Sequence, residues 1–213
     1  MVDLHTLPYF VKICGVTSVD DALAIHARGA TALGLILATS KRQVSIDRAR
    51  DITNATEGLI LRAAVFRNDP TDFVCEVVDE TGVEIVQIHG HLKADLLTAL
   101  RRRDVTVVKA LALGEKDFGD FDEGTVDAVL VDGPIPGSGE GHAWTELLSR
   151  RFNVPVIAAG GLSPSNVASV IEAVRPWGVD VATGVESSPG VKDLSLVTSF
   201  VELARKSFMQ REE

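Results

Sequence analysis

A cysteine, Cys14, ends an apolar run in the stretch VKICGVT. In an extended strand, residues two apart point to the same side, which places Lys12 one layer from the thiol. A nearby ammonium favours the thiolate, the nucleophilic and basic form of cysteine. Cys14 is therefore either a small core side chain or a base, and both interpretations stay open. The second cysteine, Cys75, lies on the apolar face of a predicted helix, and we predict that it is an unreactive packing residue.

Asp132 is a candidate general acid. It follows the apolar run DAVLV and precedes the glycine-rich segment GPIPGSGEG. A carboxyl group at a strand end, beside a loop that can close over it, suits general acid catalysis. An Asx turn that starts the loop explains the same residue equally well. Asp180 is a competitor, but we predict that it pairs inside the fold with Lys12 or Lys109.

The triplet SKR, Ser40 to Arg42, follows the apolar run GLILAT. An arginine fork matches a carboxylate in bidentate geometry, so Arg42 is a candidate for binding a carboxylate of the substrate. By itself the triplet is more typical of an ordinary solvated loop. Both interpretations of Arg42 stay open.

Two glycine-containing segments, AAGGLSPSN and ATGVESSPG, follow the last two apolar runs. They contain Gly160, Gly161, Thr183 and Gly184. Backbone N–H groups in such loops bind phosphate, and glycine permits the close approach. Two such segments after successive strands predict a phosphorylated small-molecule ligand more strongly than either one alone.

A metal site is not predicted. His89 and His91 form an H-x-H pair in VQIHGHL, but no third and fourth ligand follows with convincing spacing. A metal-binding role for this pair is therefore not expected.

The composition bounds the remaining possibilities. The 213 residues are 46% hydrophobic and 24% charged, which is ordinary for a globular protein. The formal net charge of −9 makes nucleic acid an unlikely partner. No apolar run approaches the ~18 residues of a membrane span, and the start lacks a signal peptide pattern. Two cysteines provide no disulfide framework, so we predict a cytoplasmic protein with free thiols.

Eight apolar, β-rich runs alternate along the chain with mostly amphipathic helical patterns. These patterns include IDRARDITNA, TDFVCEVVDET and TELLSRRF, and the weakest of them is GEKDFGDFDEG after the fifth run. Alternating strands and helices imply parallel strands with helical crossovers. Eight units in 213 residues predict a (β/α)₈ TIM barrel at the small end of its size range, as one domain over residues 1–213. The alternative is an open doubly wound sheet, but CGVTS after the first run contains no G-x-G-x-x-G. In a barrel, the site lies at the carboxyl ends of the strands.

Capping signals mark where three of the helices begin. Asp69-Pro70 and Ser163-Pro164 each offer an N-cap side chain followed by proline at the first helical position. Ser18 with Asp21 resembles a capping box in which aspartate replaces the usual glutamate.

Five motifs occur together in a specific order: KICGVT, SKR, VQIHG, AAGGLSPSNV and GVDVATGVESSPGVKD. In this order and spacing, the chain resembles the phosphoribosylanthranilate isomerase family of tryptophan biosynthesis from about Val11 to its C-terminal helix. The resemblance implies an Amadori rearrangement of N-(5′-phosphoribosyl)anthranilate to 1-(2-carboxyphenylamino)-1-deoxyribulose 5-phosphate, without metal or cofactor. It implies Cys14 as the general base, Asp132 as the general acid and Arg42 as the contact to the anthranilate carboxylate.

Some positions depart from the family pattern. Glu140 stands where a lysine is common, and His142 and Ala143 replace Phe-Asp in the loop after Asp132. Two alternatives remain open: another sugar-phosphate isomerase or epimerase on the same barrel, and a non-catalytic binder of phosphorylated ligands. The related histidine-pathway isomerase is expected to carry an aspartate where Cys14 stands, which counts against it. Monomer and homodimer are both compatible with this barrel.

Overall fold

The eight apolar runs form eight parallel strands that close into a barrel in the order of the sequence, β1 to β8. The structure is a computed structural model and describes residues 7–112, 125–133 and 152–211. The predicted TIM barrel is thereby confirmed over the open sheet. The strands are β1 (Phe10–Cys14), β2 (Ala32–Ile36), β3 (Leu61–Arg67), β4 (Ile85–His89), β5 (Thr106–Ala112), β6 (Ala128–Asp132), β7 (Val156–Ala159) and β8 (Gly178–Val181).

Six α-helices cover the barrel within the described ranges, and none of them is long and apolar enough to cross a membrane. The predicted helix in TELLSRRF lies outside the described residues apart from Phe152, and GEKDFGDFDEG lies outside them entirely. A short 3₁₀ helix (Thr183–Val185) and a hairpin of β9 (Glu186–Ser188) and β10 (Val191–Lys192) follow β8. The helices are α1 (Val19–His26), α2 (Ile46–Ala55), α3 (Thr71–Thr81), α4 (Ala94–Arg101), α5 (Val167–Val174) and α6 (Leu194–Met209).

Strand alternation produces two apolar cores. Residues on the outer face of the sheet are mostly Val, Leu and Ile and pack against the helices. Each such side chain stabilises the fold by about 1.5–3 kcal/mol when fully buried. Small residues alternate with large ones on the inner face, which keeps the barrel interior packed rather than hollow. The inner core consists of Phe10, Ala32, Ala63, Ile85, Val108, Ala110, Ala128, Leu130, Ile157 and Ala159.

The helix starts agree only in part with the capping signals. Ser18 caps α1 as predicted, because its side chain accepts a hydrogen bond from the N–H of Asp21. The predicted N-cap role of Asp69 is wrong: its carboxylate accepts from the N–H of Arg67, and Pro70 occupies the N-cap position of α3. The start at Ser163 is also wrong. The side chain of Asn166 accepts from the N–H of Ser163 and holds the intervening residues in a turn, so that α5 begins at Val167.

Candidate active site

A pocket of about 550 Å³ opens at the carboxyl end of the barrel. This is the end at which barrel enzymes place their sites, because the βα loops converge there. Of the seven sequence-predicted site residues, six line the pocket, and Arg42 lies beside it. The lining residues that carry polar groups or form the glycine segments are Cys14, Gln87, His89, Asp132, Gly160, Gly161, Ser163, Asp180, Thr183 and Gly184.

The Cys14 thiol lies at the end of β1, almost fully buried, against Gly34 of β2. A Cβ on Gly34 would lie 2.7 Å from the Cys14 Sγ, so only glycine leaves room for the sulfur. Burial raises the pKa of the Cys14 thiol above its ordinary value, although Lys12 acts against the rise. Lys12 therefore lowers the pKa of Cys14, as predicted, but the net change is upward. Burial is the largest cause of the rise, and the nearby carboxylate of Asp180 adds to it.

Asp180 pairs with Lys12, one layer below Cys14, with 2.8 Å between the Lys12 Nζ and the Asp180 Oδ2. The two residues are register neighbours on β8 and β1. Of the two lysines predicted as alternative partners of Asp180, the structure selects Lys12. Lys109 lies on the same face of β5 as Val107 and Leu111, whose side chains belong to the outer core. Alternation along β5 therefore directs Lys109 away from the barrel interior.

Replacing Asp180 with asparagine is expected to lower the free energy of unfolding by about 3–5 kcal/mol, because a buried lysine charge loses its partner. Both side chains of the pair are buried. Thermal and urea unfolding of the variant would measure the loss, and kcat should fall much less than in a variant of the acid. An unchanged melting temperature together with abolished turnover would assign Asp180 to catalysis instead.

The Asp132 carboxyl ends β6 and lies against the loop after β7. A Cβ on Gly160 would lie 2.4 Å from the Asp132 Oδ1 and 2.1 Å from the carbonyl oxygen of Gly133. Gly160 also has a φ of +88°, a conformation that favours glycine. The side chain of Asp132 remains open to solvent on one side. Partial desolvation at the barrel mouth and the nearby Asp180 raise the pKa of the Asp132 carboxyl, while Arg67 acts in the opposite direction.

His89 is a further polar residue of the pocket. Its Nε2 lies 2.9 Å from the Nε2 of Gln87. Burial, together with the positive charges of Lys12, Arg67 and Lys109, lowers the pKa of His89 to about 4. The imidazole is therefore neutral at physiological pH. Over the described ranges, no group of three or more His, Cys, Asp or Glu side chains is arranged to hold a metal ion.

Arg42 lies at the rim of the pocket and is held by Glu186, which in turn pairs with Lys192. Neither Glu186 nor Lys192 was predicted from the sequence as a site residue. The Nε and Nη2 of Arg42 donate to the two carboxylate oxygens of Glu186 at 2.7 and 2.6 Å, and Nη2 also lies 3.3 Å from the Thr183 hydroxyl. Arg42 is thus held by side-chain hydrogen bonds beside the pocket and is not a freely solvated loop residue. Glu186 and Lys192 both occur in the motif GVESSPGVKD. The signal that could have identified them was the presence of a glutamate and a lysine within a glycine-containing segment.

The two glycine segments pack directly against each other. A Cβ on Gly184 would lie 1.9 Å from the carbonyl oxygen of Leu162, so the 3₁₀ helix contacts the β7 loop through its backbone. Gly160 and Gly161 both have positive φ values. Their N–H groups donate to no protein group within the described residues. Such N–H groups are suited to an anionic ligand.

Comparison with known protein families decides the relationship that these residues indicate. The family model described as N-(5′-phosphoribosyl)anthranilate (PRA) isomerase matches residues 11–203. The chain belongs to the phosphoribosylanthranilate isomerase family. Its members are intramolecular isomerases of tryptophan biosynthesis. The resemblance inferred from the five motifs is thereby confirmed.

Individual members of the phosphoribosylanthranilate isomerase family match over nearly their whole length. The N-(5′-phosphoribosyl)anthranilate isomerase of Haloferax volcanii is 38% identical over 204 aligned positions, and the match covers 92% of this chain and 92% of that protein. The crystal structure of the Thermotoga maritima enzyme has a TM-score of 0.81 at 32% identity and covers 93% of this chain and 99% of that chain.

A third match was solved with a ligand. The structure of a phosphoribosylanthranilate isomerase in complex with reduced 1-(o-carboxyphenylamino)-1-deoxyribulose 5-phosphate has a TM-score of 0.80 at 31% identity, over 93% of this chain and 99% of that chain. That ligand belongs to that structure. It contains the phosphate and the aromatic carboxylate for which this pocket offers candidate partners.

Proposed function

We propose that this chain catalyses the Amadori rearrangement of N-(5′-phosphoribosyl)anthranilate, with Cys14 as the general base and Asp132 as the general acid. The observation that carries the proposal is the convergence of both residues on one pocket, which also contains the glycine segments after β7 and β8. The family relationship independently supports the isomerase reaction.

The reaction needs one acid and one base at neighbouring atoms of a single sugar. Asp132 donates a proton to the ribose ring oxygen as the bond from that oxygen to C1′ breaks. The lone pair of the anthranilate nitrogen then forms the C1′=N bond of a Schiff base. Cys14, as the thiolate, removes the proton from C2′. The C–H electrons form a C1′=C2′ double bond while the electron pair of the C1′=N bond returns to the nitrogen, which gives an enol amine. Protonation of C1′ and loss of the hydroxyl proton at C2′ complete the ketose.

The two anionic groups of the substrate have separate candidate partners in the site. The phosphate fits the N–H groups of the segments around Gly160–Gly161 and Thr183–Gly184. The anthranilate carboxylate fits the guanidinium of Arg42. Local cations are required here because the chain as a whole carries a formal net charge of −9. No cofactor enters the proposed mechanism.

One turnover assay separates this proposal from both alternatives. N-(5′-phosphoribosyl)anthranilate would be generated in situ and its conversion to the ketose product measured. Turnover supports the isomerase. Binding of the substrate without turnover would indicate a non-catalytic ligand binder. Turnover of a different aldose phosphate, with none of this substrate, would indicate another sugar-phosphate isomerase, a reaction that Cys14 in place of an aspartate disfavours.

Several expectations from the sequence stay predictions. The departures at Glu140, His142 and Ala143 lie outside the described residues. The choice between monomer and homodimer is open, and the absence of a nucleic acid partner and the cytoplasmic location are inferred from composition. The partner in the proposed reaction is a phosphorylated small-molecule substrate.

Arg42→Ala is expected to raise KM by roughly tenfold or more, because a charge-assisted bidentate contact to the anthranilate carboxylate is lost. A smaller decrease in kcat would follow if the substrate also loses orientation. Steady-state kinetics against wild type provide the measurement. Arg50→Ala is a suitable control, because Arg50 makes its own salt bridges to Asp47 and Glu80 outside the pocket. An unchanged kcat/KM in Arg42→Ala would remove Arg42 from the site.

A further inference from the structure

Lys192 joins three parts of the barrel mouth through one ammonium group. Its Nζ donates to the carbonyl oxygen of Cys14 at 2.6 Å, to that of Ala182 at 3.3 Å and to the Glu186 Oε1 at 2.9 Å. A lysine ammonium has three donors, and these contacts use all three. The side chain is fully buried, with 0% of its surface exposed. Lys192 therefore ties the ends of β1 and β8 to the hairpin that follows.

Glu186 connects this lysine to Arg42. Its carboxylate, 3% exposed, accepts from the Nε and Nη2 of Arg42, from Lys192 and from the N–H of Gly190. Burial would raise the pKa of Glu186, but the hydrogen bonds from Arg42 and Lys192 outweigh it and bring the value to about 2. Glu186 is therefore ionised throughout the physiological range and holds one edge of the planar guanidinium. The Nη1 edge is left on the side away from Glu186.

The stem of Arg42 is also coupled to the residue after the proposed base. A Cβ on Gly15 would lie 2.5 Å from the Cδ of Arg42, and Gly15 has a φ of +75°. Arg42 thus packs against the backbone that follows Cys14. The carbonyl of Cys14 itself accepts from Lys192. The same network consequently fixes both the guanidinium and the strand end that carries the thiol.

We propose that Glu186 and Lys192 are positioning residues that hold the Arg42 fork at a fixed distance from Cys14, in the orientation that receives the aromatic carboxylate of the substrate. The inference rests on the proposed function, in which Arg42 binds that carboxylate. Two cations and one anion leave the cluster with a net positive charge. Glu186 therefore orients the arginine without removing the attraction for an anionic ligand.

A purely electrostatic role makes the opposite prediction. Glu186→Gln keeps the size of the side chain but removes a negative charge next to the ligand site. If only charge mattered, the variant would bind an anionic ligand more tightly. If orientation of the fork matters, the variant binds the carboxylate more weakly despite its additional net positive charge. The sign of the change therefore separates the two explanations.

The experiment uses two probes and isothermal titration calorimetry at constant ionic strength. One probe is reduced 1-(o-carboxyphenylamino)-1-deoxyribulose 5-phosphate, and the other is the same molecule without the ring carboxylate. Glu186→Gln should weaken binding of the first probe by roughly tenfold, the typical effect of a charge-assisted hydrogen bond. Binding of the second should change by less than about twofold, because Lys192 keeps its contacts to the carbonyl oxygens of Cys14 and Ala182 and the glycine segments themselves are not substituted. In an Arg42→Ala background, Glu186→Gln should cause no further loss.

Glu84→Gln is the matched control. Glu84 accepts from the Nε of the buried Arg62 at 2.9 Å, at the amino-terminal end of the barrel away from the pocket. Glu84→Gln removes the carboxylate partner of an arginine, as Glu186→Gln does, but far from the ligand. Binding of both probes should therefore remain at the wild-type level. Urea unfolding of each variant would show that the folded protein is being titrated.

The arginine side-chain NMR spectrum of the wild-type protein provides a measurement that needs no folded Glu186 variant. The Nε–H signal of Arg42, identified by its loss in Arg42→Ala, should be protected from solvent exchange before the first probe is added. Rapid exchange of this signal would overturn the proposal.

The titrations also have outcomes that would overturn it. Equal losses for both probes in Glu186→Gln would indicate a structural role, and tighter or unchanged binding of the carboxylate probe would indicate no positioning role. A wild-type protein that binds neither probe would contradict the proposed function itself, and the inference with it.

Discussion

Replacing Cys14 with alanine is expected to lower kcat by roughly 100-fold or more, the typical contribution of a positioned general base. The thiol lies at the carboxyl end of β1 and lines the pocket, and no side chain larger than glycine fits opposite its sulfur at Gly34. The variant should fold, because alanine retains the Cβ and removes only one buried atom. Steady-state turnover, together with a urea unfolding curve, is the measurement.

Cys75→Ala is the matched control for this variant. Cys75 is also buried, but it lies in α3 and packs in the helical layer, away from the pocket. Its replacement should leave kcat and KM nearly unchanged. Wild-type turnover in Cys14→Ala would contradict the assignment of the base, and the search would turn to His89 as another pocket residue that is neutral at physiological pH.

Replacing Asp132 with asparagine is expected to lower kcat by about 100-fold or more while KM changes much less, because the amide cannot supply the proton for ring opening. The backbone contacts of the strand end remain, since Gly133 donates through its N–H to the carbonyl of Ala159. Asn166→Ala, in the neighbouring β7 loop, would show how much kinetics change when that loop alone is perturbed. If Asp132→Asn retained full turnover, the acid would have to be reassigned, with Asp180 the first alternative.

The pH dependence follows from the two raised pKa values. Turnover needs the carboxyl of Asp132 with its proton and the thiol of Cys14 without one. The thiol is a weaker acid than the carboxyl, so between the two pKa values most enzyme molecules carry a protonated thiol and an ionised carboxylate. The fraction with a thiolate and a protonated carboxyl is small, but it does not change with pH in this range. We expect a plateau of kcat/KM at neutral pH. It should fall in acid below the raised pKa of Asp132 and in alkali above the raised pKa of Cys14, which lies above the usual value of about 8.5.

The same reasoning makes the Asp132→Asn variant diagnostic. Its residual activity no longer depends on a protonated carboxyl and needs only the thiolate. It should therefore rise by about tenfold per pH unit until the pKa of the Cys14 thiol is reached. A residual activity that stays flat across neutral pH would contradict Cys14 as the base. Measurement of kcat/KM from pH 5 to 10 in wild type and variant would distinguish the two results.

The sequence was sufficient for the barrel because its information is local and periodic. Each strand is a continuous apolar run that only a sheet covered by helices can bury, and two predicted helices, α2 and α3, match the structure residue for residue. Eight such units in series have few other ways to bury their apolar faces. The candidate site followed from the same pattern, since chemically unusual residues stood where strands end. Two helix starts were predicted wrongly. The side chains of Asp69 and Asn166 accept hydrogen bonds from nearby backbone N–H groups, and the helices therefore do not begin where a simple capping rule places them.

Only the tertiary structure decided which charged groups meet. Lys12 and Asp180 lie 168 positions apart in the chain but are register partners. Lys109 does not join this pair, because it lies on the outer face of β5 with Val107 and Leu111. Arg42 and Glu186 are separated by 144 residues, and Cys14 and Lys192 by 178. These contacts exist because barrel closure brings β8 next to β1, and no local sequence pattern encodes a contact between residues so far apart in the chain. The identity of the candidate catalytic residues was therefore readable from the sequence, while the network that orients them required the closed barrel.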